Sequence, residues 1–191
     1  MTSLFRSIFF ALVFLSLTPS VGAAGASAKF ETLEWDDLMP EDYTLTLEDL
    51  FGVGMEIDLI DDFSPEAERY MENMLRVLAS APVREDMDQR MIRIPGFVVP
   101  LEGEGNRIYR FFLVPYFGAC IHVPPPPSNQ IIDVKFEPGT QVESLYDAVW
   151  ISGRLTTQTF QHDLGTSGYH LEAFVIEPYI FEDDDWDESL Y

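Results

Sequence analysis

Cys120 and His122 offer this chain its richest chemistry. The sequence has one cysteine and three histidines, and two of those four residues stand two positions apart in Gly118-Ala119-Cys120-Ile121-His122. Residues two apart on an extended backbone face the same way, so the thiol and the imidazole would share one face. Both are ligands for zinc, and a thiolate also suits copper(I). Two ligands do not complete a tetrahedral centre. The candidates for the rest are His162, His170 and acidic side chains of the lead-in or tail. The spacing lacks the paired ligands that mark a zinc motif from sequence alone. A thiol nucleophile is the second chemistry, and it needs an imidazole in reach of the thiol proton together with an orienting third group. Neighbours on one strand are too constrained for that, so His162 or His170 would have to act as the base. The plain alternative is a buried cysteine packed as a small apolar residue, with His122 bonded to the backbone. No catalytic residue is assigned.

Four prolines follow at once: Pro124, Pro125, Pro126 and Pro127. Such a run adopts a polyproline II path without backbone donors, so it cannot lie inside a sheet. With Tyr116 and Phe117 just before it, the run offers an aromatic and proline surface to a partner protein; otherwise it is a stiff crossover between strands. Asn129 and Gln130 are expected to bond the free carbonyls of the ridge. Near the other end, Glu182 to Glu188 sets six carboxylates around Trp186, which reads as a solvated tail. Glycine-rich phosphate loops, a Gly-X-Ser-X-Gly elbow and haem-attachment motifs are all missing from the sequence.

The elements that must position these residues are mostly strands. Five stretches read as β: Met91 to Pro100, Arg107 to Tyr116, Gln130 to Phe136, Ala148 to Leu155 and Gly168 to Tyr179. A flexible hairpin loop is expected at Glu102 to Asn106 and a turn at Glu137 to Thr140. Gly153, inside a strand pattern, predicts a bulge or coil. One helix is expected: Ser64 suits the N-cap, Pro65 the first helical position and Glu66 the positive end of the dipole, and apolar residues recur at helical spacing until Pro82 stops it. The fold class is therefore mainly β with one helix (α+β), a small OB-like five-stranded barrel or a curled antiparallel sheet.

Composition bounds the remainder. The 191 residues carry a formal net charge of -22, which disfavours nucleic acid and anionic lipid surfaces and is compatible with metal cations or a basic partner. Arg6, the apolar run Ile8 to Leu17 and the small residues Val21-Gly22-Ala23 read as a cleaved signal peptide over residues 1–23, because the run is too short to span a bilayer. The expected organisation is then an acidic extension over 24–63, in which Trp35 docks on the main domain, a single β-rich domain over 64–180, and an acidic tail over 181–191. Export permits disulfides, but one cysteine cannot form one within the chain.

The stretches IPGFVVPLE, FFLVPYFGACIHVPPPPSNQ, VWISGRL and GYHLEAFVIEPY resemble the DUF3299 family of exported, uncharacterised bacterial proteins, over roughly Trp35 to Tyr179. Ser128 stands where the family shows a further proline. The resemblance implies a periplasmic protein that accompanies an ABC transporter working on envelope lipoproteins or efflux, in some cases within zinc-linked gene sets. It supplies no catalytic residues. The functional expectation is a non-enzymatic periplasmic accessory protein that binds the periplasmic part of an ABC-type transporter and holds zinc or copper, with no transmembrane segment after signal cleavage. The alternatives are a thiol-dependent enzyme using Cys120 with a histidine, and a small-molecule carrier using the barrel mouth.

Overall fold

The computed structural model describes residues 29–52, 61, 64–119, 124–141 and 148–180. The signal-peptide stretch, the acidic tail, Cys120 and His122 lie outside the described residues.

Strand β1 (Glu31–Thr32) is followed by a 3-10 turn at Trp35–Leu38, helix α1 (Leu47–Phe51) and helix α2 (Pro65–Ala79). The barrel strands are β2 (Met91–Glu104), β3 (Arg107–Val114), β4 (Ile132–Gln141), β5 (Ala148–Thr156) and β8 (Tyr169–Pro178), with the small hairpin β6 (Phe160–His162) and β7 (Gly165–Ser167) between the last two. The order is β2-β3-β4-β8-β5, and β5 returns to pair with β2 from Met91↔Arg154 to Phe97↔Ala148. That pairing closes the sheet, so the fold is a closed five-stranded barrel and not a curled open sheet. Closure removes the exposed strand edges that an open sheet leaves. Within the barrel, β4 and β8 run parallel and the other pairs antiparallel.

The five expected strands are present with shifted ends. The loop expected at Glu102 to Asn106 is shorter than that reading: β2 runs on to Glu104, and the turn is Gly105-Asn106, with Gly105 at φ 64 as the first central position demands. The turn expected at Glu137 to Thr140 is instead part of β4, because Thr140 and Gln141 pair with Ile108 and Arg107 across a register shift. Gly139 at φ 70 lies against Arg107 and Tyr109 and absorbs that irregularity. Gly153 sits at the bulge between β5 and β8, where a Cβ would stand 2.3 Å from the Glu172 carbonyl oxygen. No side chain fits there, so glycine is required for the two strands to approach this closely.

Helix α2 begins as expected, with the Ser64 hydroxyl accepting from the Ala67 N–H at 3.1 Å. It turns Met74 and Leu78 inward and leaves Met71 and Leu75 exposed. A second helix, α1, was not expected. Thr46 caps it, accepting from the Asp49 N–H while Asp49 accepts from the Thr46 N–H, a reciprocal box that the sequence Thr-X-X-Asp encodes.

Alternation along the strands divides apolar residues between two cores. Phe111 and Leu113 of β3 point inward with Ile92, Ile94, Ile132, Val134, Ile151, Leu155, Tyr169 and Leu171. Phe112 and Val114 point outward and join Val99, Ala119 and Ile131 under the β6–β7 hairpin. Leu33 and Leu38 of the lead-in belong to the inner core. Trp35 docks as expected, its indole N–H donating to the Pro95 carbonyl at 2.8 Å.

Candidate functional site

The proline run is seated on the domain through the residues that follow it. Pro124 is exposed, Pro125 and Pro127 are half-buried, and Pro126 is buried. Ser128, Asn129 and Gln130 form a buried 3-10 turn. The Ser128 hydroxyl donates to the Ala81 carbonyl at 3.0 Å, the Asn129 amide to Pro82 at 2.9 Å and the Gln130 amide to Trp35 at 2.8 Å. The side-chain amides thus bond the exit of α2 and the lead-in turn, while the Gln130 backbone N–H meets a ridge carbonyl, that of Pro127, at 2.7 Å, as expected from sequence. The missed signal is that polar side chains without local partners, next to prolines that cannot donate, must find distant carbonyls. The Tyr169 hydroxyl completes the seam: it donates to the Leu38 carbonyl at 2.8 Å and accepts from the Arg84 N–H at 2.7 Å. Burial pushes this phenol's pKa up, which keeps it a neutral donor.

Tyr116 and Phe117 are exposed at the end of β3, with Phe117 edge-on to Phe97 at 6.3 Å between ring centroids. Beside them a shallow apolar pocket of about 170 Å³ is lined by Trp35, Pro95, Phe97, Pro115 and Tyr179.

His162 closes β6. Its Nδ1 accepts from the Leu164 N–H at 3.2 Å, so in the neutral ring Nε2 carries the proton. The ring stands edge-on to Phe112, with 6.0 Å between centroids. His162 also lines a groove of about 390 Å³ with Leu75 and Arg76 of α2, Pro125 and Pro126. The proline run that follows Cys120 and His122 and the histidine of β6 therefore share one groove.

His170 belongs to another constellation. Asp133 of β4 is flanked by the inward-facing Ile132 and Val134, so its own side chain points out of the barrel, yet it is only 2% exposed. Its cross-strand partners are Phe112 on one side and His170 on the other. Arg110 grips the carboxylate with both prongs, Nε to Oδ1 at 2.8 Å and Nη2 to Oδ2 at 3.0 Å. His170 Nδ1 meets Oδ2 at 2.9 Å. Because an ionised carboxylate only accepts, Nδ1 carries the proton and Nε2 is the nitrogen left for other partners. Burial alone would raise the Asp133 pKa. Hydrogen bonds from His170 and Arg110, with the Arg110 charge, outweigh it and hold the carboxyl below the usual carboxylate range. The Arg110 guanidinium in turn lies 3.6 Å over the centroid of the Phe160 ring, which tethers the hairpin by a cation–π contact.

The two described histidines thus serve separate places, His162 in the groove and His170 on Asp133. Among the described residues no three His, Cys, Asp or Glu side chains come together as a metal-holding group. Also among the described residues, no helix is long and apolar enough to cross a membrane.

A comparison with curated proteins finds no match. Among solved structures, the chain is similar to the crystal structure of a DUF3299 family protein from Pseudomonas aeruginosa, with 32% identity, a TM-score of 0.61, and coverage of 81% of this chain and 99% of that one. The family model described as a protein of unknown function, DUF3299, matches residues 35–178, a span that takes in every barrel strand, the proline run and the buried turn behind it. The chain belongs to the DUF3299 family.

Proposed function

We propose that this chain is a periplasmic accessory protein, exported by its leader. It binds the periplasmic part of an ABC-type envelope transporter and holds a zinc or copper ion through Cys120, His122 and His162. The groove between α2, Pro125, Pro126 and His162 carries the reading. Its walls are a rigid proline path and a helix flank with exposed Leu75, surfaces that suit an apolar segment of another protein. A partner with a basic surface matches the net charge of -22. To ligate through Nε2, His162 would have to move its proton to Nδ1 and give up the bond from the Leu164 N–H. Cys120 and His122 precede Pro125 by only a few residues, and the donor set of one thiolate and two imidazoles is that of zinc and copper(I) sites. His170, committed to Asp133, is left to the scaffold.

Elemental analysis of protein purified without a histidine tag tests the metal. About one zinc or copper per chain is expected, with affinity falling at least about tenfold in Cys120→Ala and in His162→Ala, and unchanged in His170→Ala. Protein free of metal, or affinity indifferent to Cys120 and His162, removes that part of the reading. Co-purification with the transporter's periplasmic part, abolished by Leu75→Glu, tests the partner. A complex insensitive to this substitution moves the interface elsewhere.

A further inference from the structure

The outer face of β4, β5 and β8 carries features that the accessory role does not use. Between β4, β5 and β8 lies a polar cleft of about 530 Å³, within the size range of small-molecule sites. Four observations distinguish it from an ordinary solvated face.

First, Gln89 on its rim has φ 63, the one non-glycine residue in the left-handed region among the described residues. A long side chain there costs backbone energy that glycine would avoid, and such outliers concentrate at binding sites. Second, Lys135 and Glu137 stand two apart on β4, on the same outward face, and neither side chain makes a hydrogen bond or ion pair among the described residues, with Lys135 across from Glu172 in the β4–β8 register. Third, Arg154 and Glu172 line the same cleft and meet only at 3.8 Å, both well exposed, a loose contact that a better partner can replace. Fourth, His170 also lines it, with its ring orientation fixed from behind by the buried Asp133–Arg110 pair. A polar group locked by a second layer of hydrogen bonds is pre-organised for a ligand, and its Nε2 offers one acceptor.

The cleft therefore presents two cations and two carboxylates around an oriented imidazole. The net charge of -22 repels a small anion before it arrives, and Lys135 and Arg154, which flank Glu172 across the strands, repel a small cation. A molecule carrying both signs satisfies both sets and feels no net repulsion. We propose that the β4–β5–β8 cleft binds a small zwitterion of the amino-acid or short-peptide class, its carboxylate at Lys135 and Arg154, its ammonium at Glu137 and Glu172, and an amide N–H donated to His170 Nε2. The site goes beyond the accessory role proposed above and stands independently of it.

Trialanine is a suitable probe, compared with its N-acetylated and C-amidated forms, each of which lacks one charge. In nuclear magnetic resonance titrations, trialanine is expected to give saturable shifts at the backbone amides of Lys135, Arg154 and His170. Both modified peptides should bind at least about tenfold more weakly. Lys135→Ala is expected to weaken trialanine by a similar factor without lowering the melting temperature, since the Lys135 side chain is exposed and makes no hydrogen bond or ion pair among the described residues. Gln89→Gly should weaken binding while leaving the melting temperature unchanged or raised, because the strain is relieved. Three results would overturn the proposal: no saturable shift up to about 10 mM peptide, equal binding of all three peptides, or binding indifferent to Lys135→Ala.

Discussion

The two faces of β3 place similar side chains in different mechanical settings. On the inner face, Phe111 and Leu113 are enclosed by residues from every barrel strand and by Leu33 and Leu38 of the lead-in. On the outer face, Phe112 and Val114 are just as buried, but much of their cover is one hairpin whose strands have three residues each. The inner core exists because the barrel closes. The outer core exists because a single small element is pinned down, with Phe160 under Arg110 and Arg110 on Asp133. Equal burial need not mean equal robustness, since stability varies with how many independent elements enclose a residue.

Substitutions can break that contrast. The largest effect is expected from Phe111→Ala, a fully buried ring in the inner core, at about 3–5 kcal/mol of global stability by urea denaturation. Loss much below that range would show that the inner core relaxes around a cavity and is not the rigid member of the pair. Asp133→Ala comes next, at about 3 kcal/mol, because it strands Arg110 and His170 without their shared carboxylate.

The pH dependence sharpens the same point. The Asp133 carboxyl is held below its unfolded value, so its contribution is fully present above about pH 4 and is lost as pH falls through the lower folded pKa. Acid titrations of the wild type and Asp133→Asn should therefore converge in stability below about pH 4. Parallel curves would mean that the carboxylate does not carry the acid limb. Phe160→Ala is expected to cost less globally, about 2 kcal/mol, because the ring is only partly buried. Its larger sign should be local, with faster amide hydrogen exchange through β6, β7 and Phe112 while Phe111 and Leu171 stay protected. Uniform acceleration would erase the distinction between the two cores. Smallest of all, Glu102→Ala removes an exposed 3.2 Å partner of Arg110 and should change stability by less than about 1 kcal/mol.

The barrel strands were legible because alternation is a local signal. Ile92 and Ile94, or Leu171 and Ala173, announce an inward face without any knowledge of the partner strand. Closure was not legible, since it depends on β5 returning to β2, a pairing that no local pattern encodes. The β6–β7 hairpin escaped as a pair of strands because three residues are too few to show a period. Asp133 gave a signal that went unread. A lone carboxylate between isoleucine and valine in an apolar strand must find a cation or rest outside, and Arg110 in the equally apolar Arg-Phe-Phe-Leu-Val run is its counterpart. The seat of His170 on Asp133 was beyond reach, because the sequence shows residue type and not neighbours. The buried role of Ser128, Asn129 and Gln130 was beyond reach for the same reason, since their partners lie 47 to 95 positions away.

The hydroxyl of Tyr169 has a bearing on the time course of folding. It joins residues 131 positions apart, Leu38 and Tyr169, and takes the Arg84 N–H as well. It sits on β8, the strand that completes the pairings of both β4 and β5. A chain that emerges N-terminus first cannot complete the seating of its lead-in or close its barrel until β8 arrives. Assembly is therefore dominated by long-range contacts, which form slowly because loop closure precedes any reward. Until then the inner apolar faces of β2, β3 and β4 are open to solvent and to other chains, and the C-terminal strand is the element whose arrival ends that exposure.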